Sequence, residues 1–304
     1  MSIVADEIQT QPDLWRRAGA LAGDVAPLLP ARGERVCVVG CGTSLYVAQA
    51  WAALREAAGH GATDAFPASE LPTGRNYDVL VAISRSGTTT EVVYALQRGL
   101  APRTVALTAL MDSPVSDAAG DVIDLSFADE RSVVQTRFAT SAFSLLRALV
   151  DPESVDPAVA DARRALSEPL PVSPTEIEQW TFLGRGWTVG LAFEAALKLR
   201  ETAQAWTEAY PAFEYRHGPI AIAAPWRVVW SLGPLHPDIA EDIRRTGVSV
   251  VAPQLDPLAS LVLAQRTAVA LAESRGLAPD EPRNLTRSIV LSDGEADVLS
   301  SRGA

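Results

Sequence analysis

The chain has 304 residues, of which 48% are hydrophobic and 21% are charged, so it can bury a full core in one large or two ordinary domains. Its 26 basic and 37 acidic residues give a net charge of −11, which argues against nucleic acid or an anionic membrane as the main partner. No apolar stretch is long enough for a membrane-spanning helix, and the first residues lack a signal-peptide pattern, so we expect a cytoplasmic protein.

Cysteine, histidine and lysine are scarce. The two cysteines, Cys37 and Cys41, fit neither a disulfide scaffold nor a zinc site, and with three histidines we expect no metal centre and no cofactor. Lys198 is the single lysine among the 26 basic residues. It either survived by chance or is kept because arginine cannot act as an amine nucleophile or release its proton at neutral pH.

The first half alternates short apolar runs with helical stretches, which is typical of a parallel sheet covered on both faces. An acidic helical lead at 7–21 precedes these elements. The predicted strands are 35–39, 78–83, 104–109 and 122–125, and helices follow the first two, the earlier one at 44–57.

A proline-rich connector at 151–175 is followed by a second series of the same kind. Its predicted strands are 180–183, 228–232 and 248–252, and its first helix is 191–206. We therefore predict an α/β fold with two tandem doubly wound, flavodoxin-like units, at 1–155 and 156–304. We expect the tail past Leu291 to be frayed.

Two hydroxyl-rich turns each follow a predicted strand and open a helix. There, free backbone amides and the positive end of the helix dipole suit a phosphomonoester, and short hydroxyl side chains add donors. The alternative is that these residues only cap two helices. The second half has no equivalent turns, so we expect one phosphate site per chain, at the strand ends of the first unit. The candidate phosphate-binding residues are Gly42, Thr43 and Ser44 in one turn and Ser84, Ser86 and Thr89 in the other.

The second half contains a dense set of ionisable residues. Glu194, Lys198 and Glu201 are spaced i, i+4, i+7 and share one helical face. This face is either a solvated stripe of salt bridges or, because the helix is otherwise apolar, part of a cleft. In a cleft, Glu201 is a candidate acid or base, and His217, before a Gly-Pro turn, is a second candidate proton carrier.

Taken together, these motifs resemble the sugar isomerase (SIS) family. The pattern is most similar to the isomerase half of glucosamine-6-phosphate synthase and to the shorter aminosugar-phosphate deaminases and fructosamine-phosphate deglycases. The resemblance covers nearly the whole chain and rests on residues 6–12, 40–44, 84–89, 182–186, 195–201, 208–210, 216–219 and 280–288.

The resemblance implies roles for individual residues. The two hydroxyl turns hold the phosphate of a phosphorylated sugar, and Glu201 matches the base that moves a proton between C1 and C2. His217 matches a histidine that helps to open the sugar ring and that reaches the site from the neighbouring subunit of a homodimer. Lys198 matches a lysine close to the reacting carbons, which would explain why this one lysine is present.

Three departures from the family limit this transfer. Arg85 stands where glutamine is common, which would add charge to the phosphate site. Arg287 replaces a lysine that forms an imine with the ketose in the synthase, and an arginine cannot form that imine. Either Lys198 takes on more of the chemistry, or the reaction proceeds without a protein-bound imine, or activity has been lost. The chain also starts without a glutaminase domain, so we do not expect a glutamine-dependent synthase.

The expected function is ring opening and C1/C2 proton transfer on an aminosugar or hexose 6-phosphate, by an isomerase or a deaminase. Two alternatives stay open. One is a phosphosugar sensor without catalysis, and the other is a deglycase that releases an amino acid from a fructosamine phosphate. The motifs do not separate these reactions, because the phosphate anchor and the proton transfer are common to isomerase, deaminase and deglycase.

Overall fold

The computed structural model describes residues 2–72 and 74–301, which form an α/β structure with two parallel sheets. The helices are α1 Ile3–Gln9, α2 Gln11–Val25, α3 Thr43–Ala57, α4 Thr90–Gln97, α5 Pro114–Ala118, α6 Arg137–Ala148, α7 Val155–Ser167, α8 Thr188–Ala203, α9 Pro237–Arg244, α10 Pro257–Ser274 and α11 Asp293–Ser301. The strands are β1 Val36–Gly40, β2 Thr63–Pro67, β3 Val79–Ser84, β4 Arg103–Thr108, β5 Asp121–Asp124, β6 Gln179–Gly184, β7 Trp206–Pro211, β8 Arg227–Ser231 and β9 Ser249–Val251.

The two sheets use the same strand order. The five-stranded sheet runs β2-β1-β3-β4-β5 and the four-stranded sheet runs β7-β6-β8-β9, so the second matches the first without its last strand. Every strand pair is parallel, and β1, β3 and β6 are buried along their whole length. This is the flavodoxin-like order, and it confirms the predicted doubly wound α/β fold. In both sheets the order reverses beside the first strand, where such folds bind ligands.

The chain divides into two compact units that are discontinuous in sequence. The first-sheet unit comprises Leu14–Glu130, Arg137–Pro152 and Thr286–Ala304. The second-sheet unit comprises Met1–Asp13, Arg131–Thr136 and Glu153–Leu285. The main break follows Pro152, and the predicted boundary was 155/156. Each end of the chain belongs to the unit formed mainly by the other half: α1 belongs to the second-sheet unit, and the segment from Thr286 onward belongs to the first-sheet unit.

Hydrogen bonds explain why α1 belongs to the second-sheet unit. The Asp280 carboxylate accepts hydrogen bonds from the backbone N–H groups of Ile3 and Val4, at 2.9 and 2.7 Å, and so pairs two of the free donors in the first turn of α1. The buried Glu7 carboxylate accepts from the backbone N–H of Arg131 at 2.6 Å and from the Ser132 hydroxyl. The first residues are therefore fixed to segments far away in sequence.

Several elements differ from the prediction. The lead forms two helices rather than one. The helix predicted at 191–206 begins earlier, at Thr188, and ends at Ala203, because Gln204 is left-handed at φ 53° and Trp206 already begins β7. The edge strands β2 and β7 were missed, since they are largely half-buried or polar and lack a continuous apolar run. The tail predicted to be frayed contains α11, while residues 302–304 lie outside the described residues.

Among the helices of the described residues, none combines the length and the apolar character needed to cross a membrane.

Candidate functional site

The two hydroxyl turns lie at the carboxyl ends of neighbouring strands in the first-sheet unit. Residues 41–44 follow β1 and open α3, residues 84–89 end β3 and open α4, and β1 pairs directly with β3. Gly40 and Gly87 make these turns feasible. A Cβ on Gly40 would lie 2.6 Å from the carbonyl carbon of Ser44. Gly87 has φ +65°, and a Cβ there would clash with the Ser113 side chain. The predicted phosphate residues of both turns thus share one edge of one sheet.

The hydroxyl groups in the second turn form a cluster. The Ser86 Oγ lies 3.3 Å from the Thr89 Oγ1 and accepts a hydrogen bond from the backbone N–H of Thr88 at 3.3 Å. The Ser84 hydroxyl is buried and has no hydrogen-bond partner among the described residues. A buried hydroxyl without a partner is costly, so this one is a donor that a ligand would satisfy. Thr43 and Ser44 are also buried, at the start of α3.

The candidate residues named from sequence omit two members of this cluster, Thr88 in the same turn and, far along the chain, Ser288. Its Oγ accepts from the Thr88 hydroxyl at 2.9 Å and from the Ser86 hydroxyl at 3.1 Å, and lies 3.4 Å from the Thr89 Oγ1. Ser288 lies in the quoted 280–288 motif, but it is about two hundred residues from its partners. No local sequence pattern reports so long a separation. We call Ser86, Thr88, Thr89 and Ser288 the hydroxyl cluster.

The two arginines that depart from the family pattern lie beside this cluster and share an anchor. The fully buried Arg85 has its Nη1 3.8 Å from the buried Glu130 carboxylate and donates through Nη2 to the Arg287 carbonyl at 3.0 Å. The Arg287 guanidinium in turn donates to the Glu130 carbonyl and to the Asp129 carboxylate. The predicted effect of Arg85, an added charge at the phosphate site, is therefore offset by Glu130.

In the second-sheet unit, α8 brings the acid/base candidates together. The Lys198 Nζ lies 2.5 Å from the Glu201 Oε2 and 3.4 Å from the Glu194 Oε1. Lys198 and Glu194 are fully buried, whereas 19% of the Glu201 side chain is exposed. The cluster is therefore not the solvated stripe of salt bridges that the sequence left open, because only its last member reaches the surface.

The exposed end of this cluster opens into a cavity. Glu201 lines a cavity of about 410 Å³ in the second-sheet unit, together with the end of α8 and the segment after α10. The other lining residues are Leu197, Arg200, Gln204, Ala205, Arg283, Asn284 and Leu285. A carboxylate that faces a cavity while a buried ammonium holds its position has the geometry of a general base.

His217 lies in the turn that follows β7. It is exposed, it follows a short 3₁₀ turn at Glu214–Arg216, and its backbone N–H donates to the Glu214 carbonyl at 2.9 Å. Among the described residues, it does not line the cavity that contains Glu201. The role expected of His217, in the site of a neighbouring subunit, stays a prediction.

The aromatic residues near His217 have different environments. The Tyr210 hydroxyl donates to the Glu208 carboxylate at 3.1 Å, and burial, with a smaller effect of Glu208, raises the pKa of that phenol. Phe213 is 43% exposed, with the Arg185 guanidinium 5.4 Å from its ring centroid. The Tyr210 ring centroid lies 6.0 Å from that of Tyr215, and the Arg216 guanidinium lies 5.9 Å from the Phe213 ring centroid, so both aromatic residues lie beside the 214–217 turn.

No family model matches the chain. It is 27% identical to the glutamine--fructose-6-phosphate aminotransferase (isomerizing) of Methanothermobacter thermautotrophicus over 85% of this chain and 52% of that protein. It is 28% identical to the protein of the same name from Gloeobacter violaceus, over 94% of this chain and 58% of that protein. The chain thus spans about half the length of the curated relatives it matches.

Solved structures match over nearly the whole chain. The glucosamine-6-phosphate deaminase of Thermotoga maritima superposes with a TM-score of 0.85 at 23% identity, over 95% of this chain and 100% of that one. The C-terminal domain of glucosamine-fructose-6-phosphate aminotransferase from Francisella tularensis gives 0.78 at 21% identity, over 93% and 98% of the two chains. The tagatose-6-phosphate ketose/aldose isomerase of Escherichia coli gives 0.76 at 21% identity, over 94% and 97%. These likenesses confirm the predicted fold.

Proposed function

We propose that this protein is a phosphosugar isomerase or aminosugar-phosphate deaminase that opens the sugar ring and transfers a proton between C1 and C2. The observation that carries the proposal is the α8 cluster, in which a buried Lys198 fixes Glu201 at 2.5 Å and leaves its carboxylate facing a cavity. A protein that only sensed a phosphosugar would have no need of a base held in this way. The similar proteins named above include isomerases and a deaminase of phosphorylated sugars.

The proposal assigns phosphate binding to the first-sheet unit. Backbone amides at the starts of α3 and α4 and the hydroxyls of Ser84, Ser86 and Thr89 would hold the phosphate dianion. This local arrangement meets the requirement set by the net charge of −11, because an acidic protein must hold an anion with nearby donors. The phosphate anchor would contribute binding energy that orients the reacting carbons.

In this proposal Glu201 removes the proton from C2 of the opened aldose, or from C1 of the ketose, and returns it to the neighbouring carbon. Lys198 keeps the carboxylate in position through the ion pair at 2.5 Å. The buried Lys198 Nζ is held by two carboxylates, and among the described residues Lys198 does not line the cavity that contains Glu201. With Arg287 in place of the family lysine, neither position offers an imine-forming amine, so we propose a reaction without a protein-bound imine.

A panel assay tests the proposed function. The purified chain is incubated with glucosamine 6-phosphate, fructose 6-phosphate, a fructosamine 6-phosphate and the same sugars without phosphate, and isomers, ammonia and released amino acid are measured. We expect turnover of phosphorylated members only, with no loss of activity after borohydride treatment in the presence of substrate. Inactivation by borohydride would reveal an imine and contradict the mechanism. Binding of a panel member without any product would instead favour the sensor.

The shared site, with His217 donated by the neighbouring subunit of a homodimer, is a second part of the proposal. Among the described residues His217 does not line the cavity of Glu201 in its own chain, as expected if the neighbouring subunit provides it. Coexpression of a Glu201→Gln chain with a His217→Asn chain tests it, since one site of each mixed dimer would then hold both native residues. We expect recovery of about a quarter of the native activity if chains mix freely. No recovery, with mixed dimers present by mass spectrometry, would contradict sharing.

A further inference from the structure

We propose that Ser288 is a further phosphate-binding residue, which completes the donor set of the phosphate site from a segment far along the chain. This inference rests on the proposed function, because it concerns the same site. Its starting point is the position of the Ser288 Oγ, within 3.4 Å of the hydroxyls of Ser86, Thr88 and Thr89.

The geometry of the hydroxyl cluster favours an anion. Each hydroxyl has one proton to donate and can rotate it toward a different acceptor. The four hydroxyls now satisfy one another, at separations of 2.9 to 3.4 Å, so each could redirect its proton to a phosphate oxygen at little cost. Hydrogen bonds to a charged acceptor are roughly twice as strong as those between neutral groups, which makes this exchange favourable. Ser84, buried and without a partner among the described residues, shows that the site has donor capacity that the protein itself does not use.

Ser288 is held in place by hydrogen bonds on both sides. Before it, the Arg287 carbonyl accepts from the Arg85 Nη2 at 3.0 Å. After it, the Ile289 carbonyl accepts from the backbone N–H of Thr90 at 3.4 Å, and the Leu291 N–H donates to the Thr90 hydroxyl at 3.0 Å. The segment therefore follows the start of α4, and the Ser288 hydroxyl is preorganised rather than free to sample solvent.

The same contacts give the two unusual arginines a positioning role. Arg85 and Arg287 are tied to Glu130 and Asp129, and one of them holds the main chain beside Ser288. Because both positive charges have acidic partners nearby, the phosphate must be bound mainly by hydroxyls and amides. One hydroxyl then makes a measurable difference to affinity.

Calorimetry with fructose 6-phosphate and with inorganic phosphate tests the proposal. The key comparison is Ser288→Thr against Ser288→Val, because these side chains have the same shape and differ by the hydroxyl, so that any disturbance of the segment is shared. We expect the Val variant to bind both ligands about tenfold more weakly than the Thr variant, which stays close to the native protein. Ser292→Ala, which removes a hydroxyl that donates to Glu295 at 2.7 Å in the same tail, is the control and leaves both affinities unchanged.

The two ligands separate this inference from the proposed function. If the native chain binds inorganic phosphate and the hydroxyl at 288 matters, but no phosphosugar binds or reacts, the residue assignment stands and the proposed function fails. If Ser288→Val binds phosphate as well as Ser288→Thr does, or more tightly, Ser288 is not a phosphate ligand and the inference is overturned, whatever the activity. A native chain that binds neither ligand overturns both.

Discussion

Ser84 and Ser231 are each the last residue of a strand that lies beside the first strand of its sheet, yet their hydroxyls have different partners. The Ser231 hydroxyl donates to the Gly233 carbonyl at 2.8 Å, within its own turn. The Ser84 hydroxyl has no such partner among the described residues. Two sheets of the same strand order thus end in turns of different chemistry. The turn after β8 uses its serine hydroxyl in a hydrogen bond of its own, and the turn after β3 leaves its serine hydroxyl available as a donor.

The turns that follow the first strand of each sheet begin in the same way in the two units. Gly40 ends β1 and Gly184 ends β6, and in each case a Cβ would run into the backbone of the residue four positions later, at 2.6 Å from Ser44 and 2.3 Å from Thr188. The difference begins immediately afterwards, where Cys41 in one turn corresponds to Arg185 in the other. The comparison teaches that the sheet determines where a ligand can bind and that the turns determine which ligand it is.

The largest expected effect tests whether the second-sheet unit carries the chemistry. Glu201→Gln removes the proposed base while keeping the size of the side chain and the cavity, so we expect turnover of the phosphosugar substrate to fall at least about hundredfold. Affinity for the phosphosugar should stay within about threefold, because the phosphate donors are untouched. Steady-state kinetics and calorimetry provide the two readouts.

The control for Glu201→Gln is Glu273→Gln, a matched change at an exposed position on α10, which should alter neither turnover nor affinity. Turnover near the native level in Glu201→Gln would remove Glu201 as the base. A large loss of affinity with native turnover would show that Glu201 binds the ligand and does not transfer the proton.

The next effect tests whether the two frameworks are equivalent. Alanine at Gly40 or at Gly184 places a methyl group within 2.6 Å of backbone atoms, and we expect each change to lower the free energy of unfolding by about 2–3 kcal/mol. Gly23→Ala is the control, because this glycine lies in α2 with nothing within 4 Å of the added Cβ, and it should gain roughly 0.5–1 kcal/mol. Urea unfolding measures all three. A large loss at only one of the two strand ends would contradict the equivalence.

Much of this framework is predictable from sequence, for a physical reason. Buried parallel strands are continuous apolar runs, and β1, β3, β6 and β8 were predicted to within a residue or two of their ends. The edge strands β2 and β7 carry no such signal, since most of their residues are only partly buried and they lack a continuous apolar run. The helix α8 ends where Gln204 adopts a left-handed conformation, which the sequence does not predict because residues other than glycine rarely adopt it.

The candidate site divides in the same way. Residues that share a helix, as Lys198 and Glu201 do, are found by periodicity, and the structure does bring them together. Ser288 and Glu130 lie about two hundred and about fifty residues from their partners, and only the folded chain reveals those contacts. The role expected of Arg85 also depended on Glu130, a buried partner that the sequence does not identify.

A smaller effect concerns Cys41, the first residue after β1, where the second-sheet unit has Arg185 after β6. Burial, with a lesser contribution from Glu91, raises the pKa of the Cys41 thiol to about 11. Because this folded value lies above that of an unfolded cysteine, the thiol stays protonated at pH 8, where we expect iodoacetamide to react about a hundredfold more slowly in the native protein than in urea. The stability that depends on this protonated form is lost as the pH rises from the ordinary thiol range toward 11.

Peptide mapping by mass spectrometry follows Cys41 and Cys37 separately. Cys37 serves as the internal reference, since burial raises its pKa further, to about 12, and it should react more slowly still. Equal rates for Cys41 in the native and the unfolded chain would show that the turn exposes a thiolate, and the protonated state predicted for this thiol would be wrong.

The smallest effect returns to the two serines at the strand ends. If the free donor at the end of β3 is what distinguishes a phosphate-binding turn from a self-satisfied one, Ser84→Ala should weaken binding of fructose 6-phosphate about tenfold, while Ser231→Ala leaves it unchanged. Stability should respond in the opposite order. Removing the unpartnered Ser84 hydroxyl costs the folded chain little, whereas Ser231→Ala leaves the Gly233 carbonyl without its donor and should cost about 1 kcal/mol. Calorimetry measures the affinity of the two variants, and urea unfolding measures their stability. Equal losses of affinity would show that the two turns bind anions alike.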